Sequence, residues 1–128
     1  MTKREFEEIL CKYPELIEPD LELKGRGVNL LNQQVDMLFE DKNNKKLAIQ
    51  VRVAPIEEEH VGEIVSHQNE IISDEANDYS VMLVADKVPA HLQTAFKHSG
   101  VTWKEINHFQ IKEHLKKKGD TELLKLFE

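Results

Sequence analysis

From residue 35 to residue 53, apolar side chains recur at every second position in two runs separated by a polar turn. In the first run, Val35, Met37 and Phe39 alternate with Asp36, Leu38 and Glu40. In the second, Leu47, Ile49, Val51 and Val53 alternate with Lys46, Ala48, Gln50 and Arg52. A period of two sends successive side chains to opposite faces of a strand, and Asp41-Lys42-Asn43-Asn44-Lys45 is rich in turn-forming residues. The pattern predicts a β-hairpin, and the rest of the chain has to be arranged around it.

On the N-terminal side a helix is expected over about residues 2–12, because Thr2 and Glu5 have capping-box spacing and Phe6, Ile9 and Leu10 make an apolar stripe. Pro14 and Pro19 bracket its exit, with Leu16 and Ile17 as core plugs. Leu21 to Lys24 is a short strand candidate that the turn-like Gly25-Arg26-Gly27 should end. After the hairpin, Pro55 opens a predicted second helix with Glu57, Glu58 and Glu59 in its first turn, where carboxylates suit the helix dipole. Val61, Ile64, Val65, Gln68 and Ile72 follow at helical spacing, and the polar stretch Ser73 to Asp78 closes it. Tyr79 to Ala85 reads as a buried central strand, Pro89 to His98 as a helix ended by Gly100, and Val101 to Ile106 as a strand. From Phe109 the chain is helical, broken at Gly119-Asp120 and recapped by Asp120 or Thr121. The order is α-β-β-β-α-β-α-β-α. Hairpin and crossover connections together imply an α/β fold, a mixed central sheet flanked by helices in a single domain over residues 1–128.

Composition narrows the function. No apolar run approaches the ~20 residues that cross a bilayer, and the N-terminus has no apolar stretch of a secretory signal. A single cysteine, Cys11, excludes an intramolecular disulfide framework and fits a cytoplasmic location. The formal net charge is −7, with 24 acidic against 17 basic residues, so strong unaided DNA binding is not the expectation.

The polar residues inside the hairpin carry the chemistry. Gln50 and Arg52 share strand parity, and Asp36 stands on the neighbouring strand among Val35, Met37 and Phe39. Asp, thirteen intervening residues and Gln-x-Arg make the triplet. Around it lie Pro14-Glu15-Leu16-Ile17-Glu18, Val35-Asp36-Met37-Leu38-Phe39-Glu40-Asp41, Ala48-Ile49-Gln50-Val51-Arg52-Val53 and Val61-Gly62-Glu63-Ile64. In order and spacing these segments, and the later VMLVADKVPAHLQTAFKHSGVTWKEI, resemble the nuclease domain of the NucS/EndoMS type within the PD-(D/E)xK superfamily, over roughly residues 4–106. The resemblance implies a restriction-endonuclease-like fold. It gives Asp36 the place of the metal-binding aspartate, Gln50 that of the second carboxylate and Arg52 that of the catalytic lysine. Glu63 falls where the family often has glutamine, and Glu5 or Glu8 where some members carry a further acid. The resemblance also implies an additional DNA-binding and dimerisation domain ahead of the nuclease helix, so a protein partner or homodimer is expected to supply grip on DNA.

Two of the three signature residues are thus replaced. Metal-assisted phosphodiester cleavage uses carboxylates to hold Mg²⁺ or Mn²⁺ beside the phosphate. Gln50 offers only a neutral carbonyl, and Arg52 keeps its charge but cannot give up its proton. The expectation is a nuclease-like domain that acts on or binds nucleic acid with impaired catalysis. Two alternatives stay open: an active Mg²⁺- or Mn²⁺-dependent endonuclease with an altered site, in which Glu8, Glu40 or Glu63 compensates, and an acidic protein-interaction subunit with no nucleic-acid role. Without activity no cofactor is expected. Lys42, Lys45 and Lys46 in the hairpin turn, and Lys116-Lys117-Lys118, are candidate nucleic-acid contacts, although a helix-terminal lysine run ordinarily complements the dipole. His60 and His67, like His91 and His98, are seven apart, ~10 Å along a helix, too far to share a zinc ion. These histidines read as surface residues, Cys11 as a small hydrophobe, and Trp103 as core or interface.

Overall fold

The computed structural model describes residues 1–30, 33–73 and 79–128. Helix α1 (Lys3–Lys12) begins at the expected capping box: Thr2 accepts from the Glu5 amide while the Glu5 side chain accepts from the Thr2 amide. A 3-10 turn, Pro14–Leu16, leads towards the sheet. The sheet holds β1 (Glu22–Leu30), β2 (Gln33–Glu40), β3 (Lys46–Arg52), β4 (Tyr79–Ala85) and β5 (Trp103–Glu105) in that spatial order. The first three pair antiparallel, and β3–β4 and β4–β5 pair parallel, so the sheet is mixed as the connection pattern predicts.

The parallel crossovers run through α2 (His60–Ile72) and α3 (Ala90–Ser99). Their buried residues Ile64, Ile71, Leu92 and Phe96 cover one sheet face against Leu38, Ala48, Val81, Leu83 and Ala85. The other face carries Met37, Phe39, Ile49, Val51 and Val84. It is covered by Phe6, Ile9 and Leu10 of α1 and by Ile111 and Leu115 of α4 (His108–Lys118). Gly119, at φ 68°, ends α4 in the left-handed conformation that glycine adopts freely, and Asp120 caps the short α5 (Thr121–Leu124). Among the described residues no helix is long and apolar enough to cross a membrane.

Several local expectations are corrected. Gly25-Arg26-Gly27 does not end β1. The strand runs on to Leu30 through a register shift between Leu23 and Gly25, where a Cβ on Gly25 would stand 2.7 Å from Val28 Cγ2. Helix α2 starts at His60 rather than Pro55. Ile56 is drawn into the core and the Ala54 amide is tied to Asp86 Oδ1 at 2.7 Å, so Glu57 to Glu59 turn the chain instead of opening the helix. On α2 the buried positions are Ile64, Gln68 and Ile71, while Ile72, one residue off that phase, is 55% exposed. Gln68 bonds both the amide and the carbonyl of Thr102. The polar closure of α2 past Ser73 lies outside the described residues. Leu38 and Ala48, which alternate with the main apolar stripe of the hairpin, are also buried because helices cover both faces. The central strand is β3, with β4 one place further in the order. The strand expected over Val101 to Ile106 pairs only over Trp103–Glu105. Trp103 is half-buried and packs against Phe96.

Candidate functional site

At Asp36 the hairpin departs from simple alternation. Val35 packs with Leu38 and Ala48 rather than with Met37 and Phe39, and the regular β2–β3 register ends at Met37 opposite Ile49. Beyond that pair a side chain takes over from the ladder: the Val51 amide donates to Asp36 Oδ2 at 2.7 Å. The other oxygen, Oδ1, lies 2.8 Å from Lys3 Nζ at the start of α1. Both oxygens of the candidate aspartate are therefore engaged by the chain itself.

Gln50 and Arg52 line a cleft of about 290 Å³ with Lys3, Val51, Val53 and Pro55. Among the described residues, Gln50 Oε1 is buried with no hydrogen-bond donor and Arg52 Nε with no acceptor. The end of the Arg52 guanidinium reaches Glu63 of α2, with Nη2 3.3 Å from Oε2. Arg52 thus turns away from Asp36 towards α2, and Lys3 supplies the positive charge beside the aspartate.

Of the accessory carboxylates, only Glu63 joins this neighbourhood, as the partner of Arg52. Glu8 is bound to Arg26 at 2.9 Å, which with Arg26's charge lowers its pKa, and Glu40 lies 3.3 Å from Lys24. Glu5 is held in the capping box, which lowers its pKa. A further carboxylate, Glu7 of α1, lies 3.7 Å from Arg26 and is within electrostatic reach of Asp36. Burial pushes its pKa up, and the negative charge of Asp36 pushes it further. Lys3 and Glu7 were not singled out by the sequence. Their four-residue spacing from a well-marked capping box puts them on one helical face, but no local signal says which strand that face meets.

Lys42, Lys45 and Lys46 are exposed at the hairpin turn, at the far end of β3 from Arg52, roughly 20 Å away at ~3.3 Å per residue. They are not brought to the cleft, and Lys46 lies instead over the Tyr79 ring. The lysine run 116–118 fills the last turn of α4. His91 and His98 are exposed as expected, but His60 and His67 are half-buried, His60 Nδ1 accepting from the Glu57 amide and His67 Nε2 lying 3.1 Å from the Gln34 carbonyl oxygen. His108 pairs with buried Asp86 at 3.0 Å and His114 with Glu15 at 2.7 Å. Cys11 is half-buried, and burial raises its thiol pKa.

A divalent ion does not fit the site as these residues are arranged. Magnesium favours carboxylate oxygens with waters. Here each oxygen of Asp36 already accepts from a donor of the chain, and Gln50 offers a neutral amide carbonyl in place of a carboxylate. Among the described residues no group of three or more His, Cys, Asp or Glu side chains could hold a metal ion.

No protein-family model matches the sequence, and no curated protein matches it. Solved structures do. A repair endonuclease from Pyrococcus abyssi superposes with a TM-score of 0.69 at 13% identity, over 84% of this chain and 47% of its own. An EndoMS–double-stranded DNA complex gives 0.69 at 17% identity, over 83% and 44%. EndoMS in its apo form gives 0.64 at 16%, over 84% and 47%. The chain thus spans about half the length of the structures it matches. At these identities the likeness establishes a shared architecture: the chain has the restriction-endonuclease-like fold seen in these repair endonucleases.

Proposed function

We propose that this chain is a PD-(D/E)xK-type domain that binds nucleic acid and has lost or greatly slowed phosphodiester cleavage. The observation that carries the reading is the state of Asp36, whose two oxygens are held by Lys3 and the Val51 amide beside Gln50 and Arg52. Gln50 replaces the second metal-holding carboxylate, and Arg52 replaces the lysine. Support for nucleic acid as ligand is the shared fold, together with the cations of Lys3 and Arg52 around one cleft. With a net charge of −7, a protein partner would add the basic surface for tight binding, and a second copy would add a second cleft.

The test is cleavage of plasmid and single-stranded DNA with Mg²⁺ and Mn²⁺, alongside a gel-shift binding assay. Binding without cleavage is expected. Robust cleavage that disappears in Asp36→Asn overturns the impaired-catalysis reading.

One observation favours a second reading, an active Mg²⁺- or Mn²⁺-dependent endonuclease with an altered site. Among the described residues, Gln50 Oε1 is buried without a donor on a residue that lines the cleft. On that reading the wild type already cleaves, and the double variant Gln50→Glu/Arg52→Lys cleaves faster.

A further inference from the structure

We propose that Lys3 is a built-in cation for Asp36, taking the carboxylate oxygen that a divalent ion would need, so that the cleft receives a backbone phosphate without metal. The phosphate part rests on the nucleic-acid reading above. The Lys3 part stands on its own geometry.

Lys3 is the first residue of α1, and the capping box of Thr2 and Glu5 sets where that helix begins. Its ammonium is 2.8 Å from Asp36 Oδ1, and its side chain is half-exposed while that of Asp36 is 20% exposed. It lines the same cleft as Gln50 and Arg52. An ammonium has three donors, and a single contact to Asp36 leaves two for an incoming phosphate oxygen. Arg52 lines the same cleft, and the Glu63 carboxylate that holds its Nη2 is largely exposed. Two cations thus line one cleft, and the first of them is paired with the neighbouring Asp36.

The same placement works against a metal ion. Asp36 Oδ2 accepts from the Val51 amide and Oδ1 lies against Lys3, so a divalent ion would have to share each oxygen with a donor already in place. A divalent ion entering beside Asp36 would also face the ammonium. At ~5 Å in water-like dielectric that repulsion corresponds to about tenfold in affinity. Glu7, on the same face of α1, has its carboxyl 3.7 Å from Arg26.

The experiment compares the full chain with Lys3→Met, Lys3→Arg and the double variant Lys3→Met/Asp36→Asn, each checked for native circular dichroism. Binding of Mn²⁺ alone is measured by calorimetry. Binding of a fluorescein-labelled single-stranded DNA of about 15 nucleotides is measured by anisotropy, in EDTA and in Mn²⁺. Lys3→Met is expected to bind Mn²⁺ about tenfold more tightly than wild type, and the added Asp36→Asn to abolish the gain. In EDTA, Lys3→Met should bind the oligonucleotide about fivefold more weakly, the loss of one charge-assisted contact, and Mn²⁺ should restore it. Lys3→Arg should match wild type in both assays. Equal Mn²⁺ affinity in wild type and Lys3→Met overturns the proposal. A Mn²⁺ gain with no oligonucleotide binding by any variant upholds Lys3 as the cation and overturns nucleic acid as the ligand.

Discussion

Replacing Asp36 separates its structural work from any chemistry at the cleft. Its Oδ2 accepts the Val51 amide at 2.7 Å, where the β2–β3 ladder has stopped, and Val51 is fully buried. Among the described residues, its Oδ1 meets the half-exposed Lys3. Asp36→Ala removes both contacts and leaves a buried N–H without an acceptor, a loss of about 2–3 kcal/mol. Asp36→Asn keeps an amide oxygen for the Val51 N–H and gives up the ion pair, whose exposed partner limits the cost to about 1 kcal/mol or less. In urea unfolding followed by circular dichroism, a slope of about 2 kcal/mol per molar puts the Asp36→Ala midpoint about 1–1.5 M below wild type. Asp36→Asn should fall less than about 0.5 M below it. Equal losses in the two variants, or no loss in Asp36→Ala, would refute the claim that the carboxylate replaces a ladder acceptor. For this reason Asp36→Asn, and not the alanine variant, is the sound control for cleavage assays.

Three other outcomes follow from the structure. Asp120 has its pKa lowered from 3.8 to about 2 by the Lys12 ammonium, the Leu123 amide and the Tyr13 hydroxyl, so its stabilisation is complete above about pH 4 and is lost as pH falls towards 2. Asp120→Asn should be less stable than wild type at pH 7, and the gap between their urea midpoints should shrink across that acid window. Gly25→Ala places a methyl 2.7 Å from Val28 Cγ2 at the bulge of β1 and should cost about 1–3 kcal/mol in urea unfolding. Gln68→Ala removes the acceptor of the Thr102 amide, leaves the Thr102 carbonyl with the Leu83 N–H, and should cost about 1–3 kcal/mol, measured as a fall in unfolding midpoint.

Much of the architecture was legible because it is written in local periodicity. The hairpin over residues 35–53, the capping box at Thr2 and Glu5, the stop at Gly100 and the recap at Asp120 each depend on neighbours a few residues apart. Those signals set element type and order, and with them a mixed sheet. They also put Gln50 and Arg52 on one strand with a lone aspartate beside it. What local patterns could not decide was which side chains meet across elements. The path of Arg52 to Glu63 rather than Asp36, the pairing of Glu8 with Arg26, and the arrival of Lys3 at Asp36 depend on how α1 and α2 pack on opposite faces of the sheet. Salt-bridge partners are set by packing distance, which sequence separation does not encode: 33 positions divide Lys3 from Asp36, yet their charged groups stand 2.8 Å apart. The sequence by itself determined the frame and named the aspartate. Only the tertiary structure decided that the aspartate's counter-ion is the first residue of the first helix.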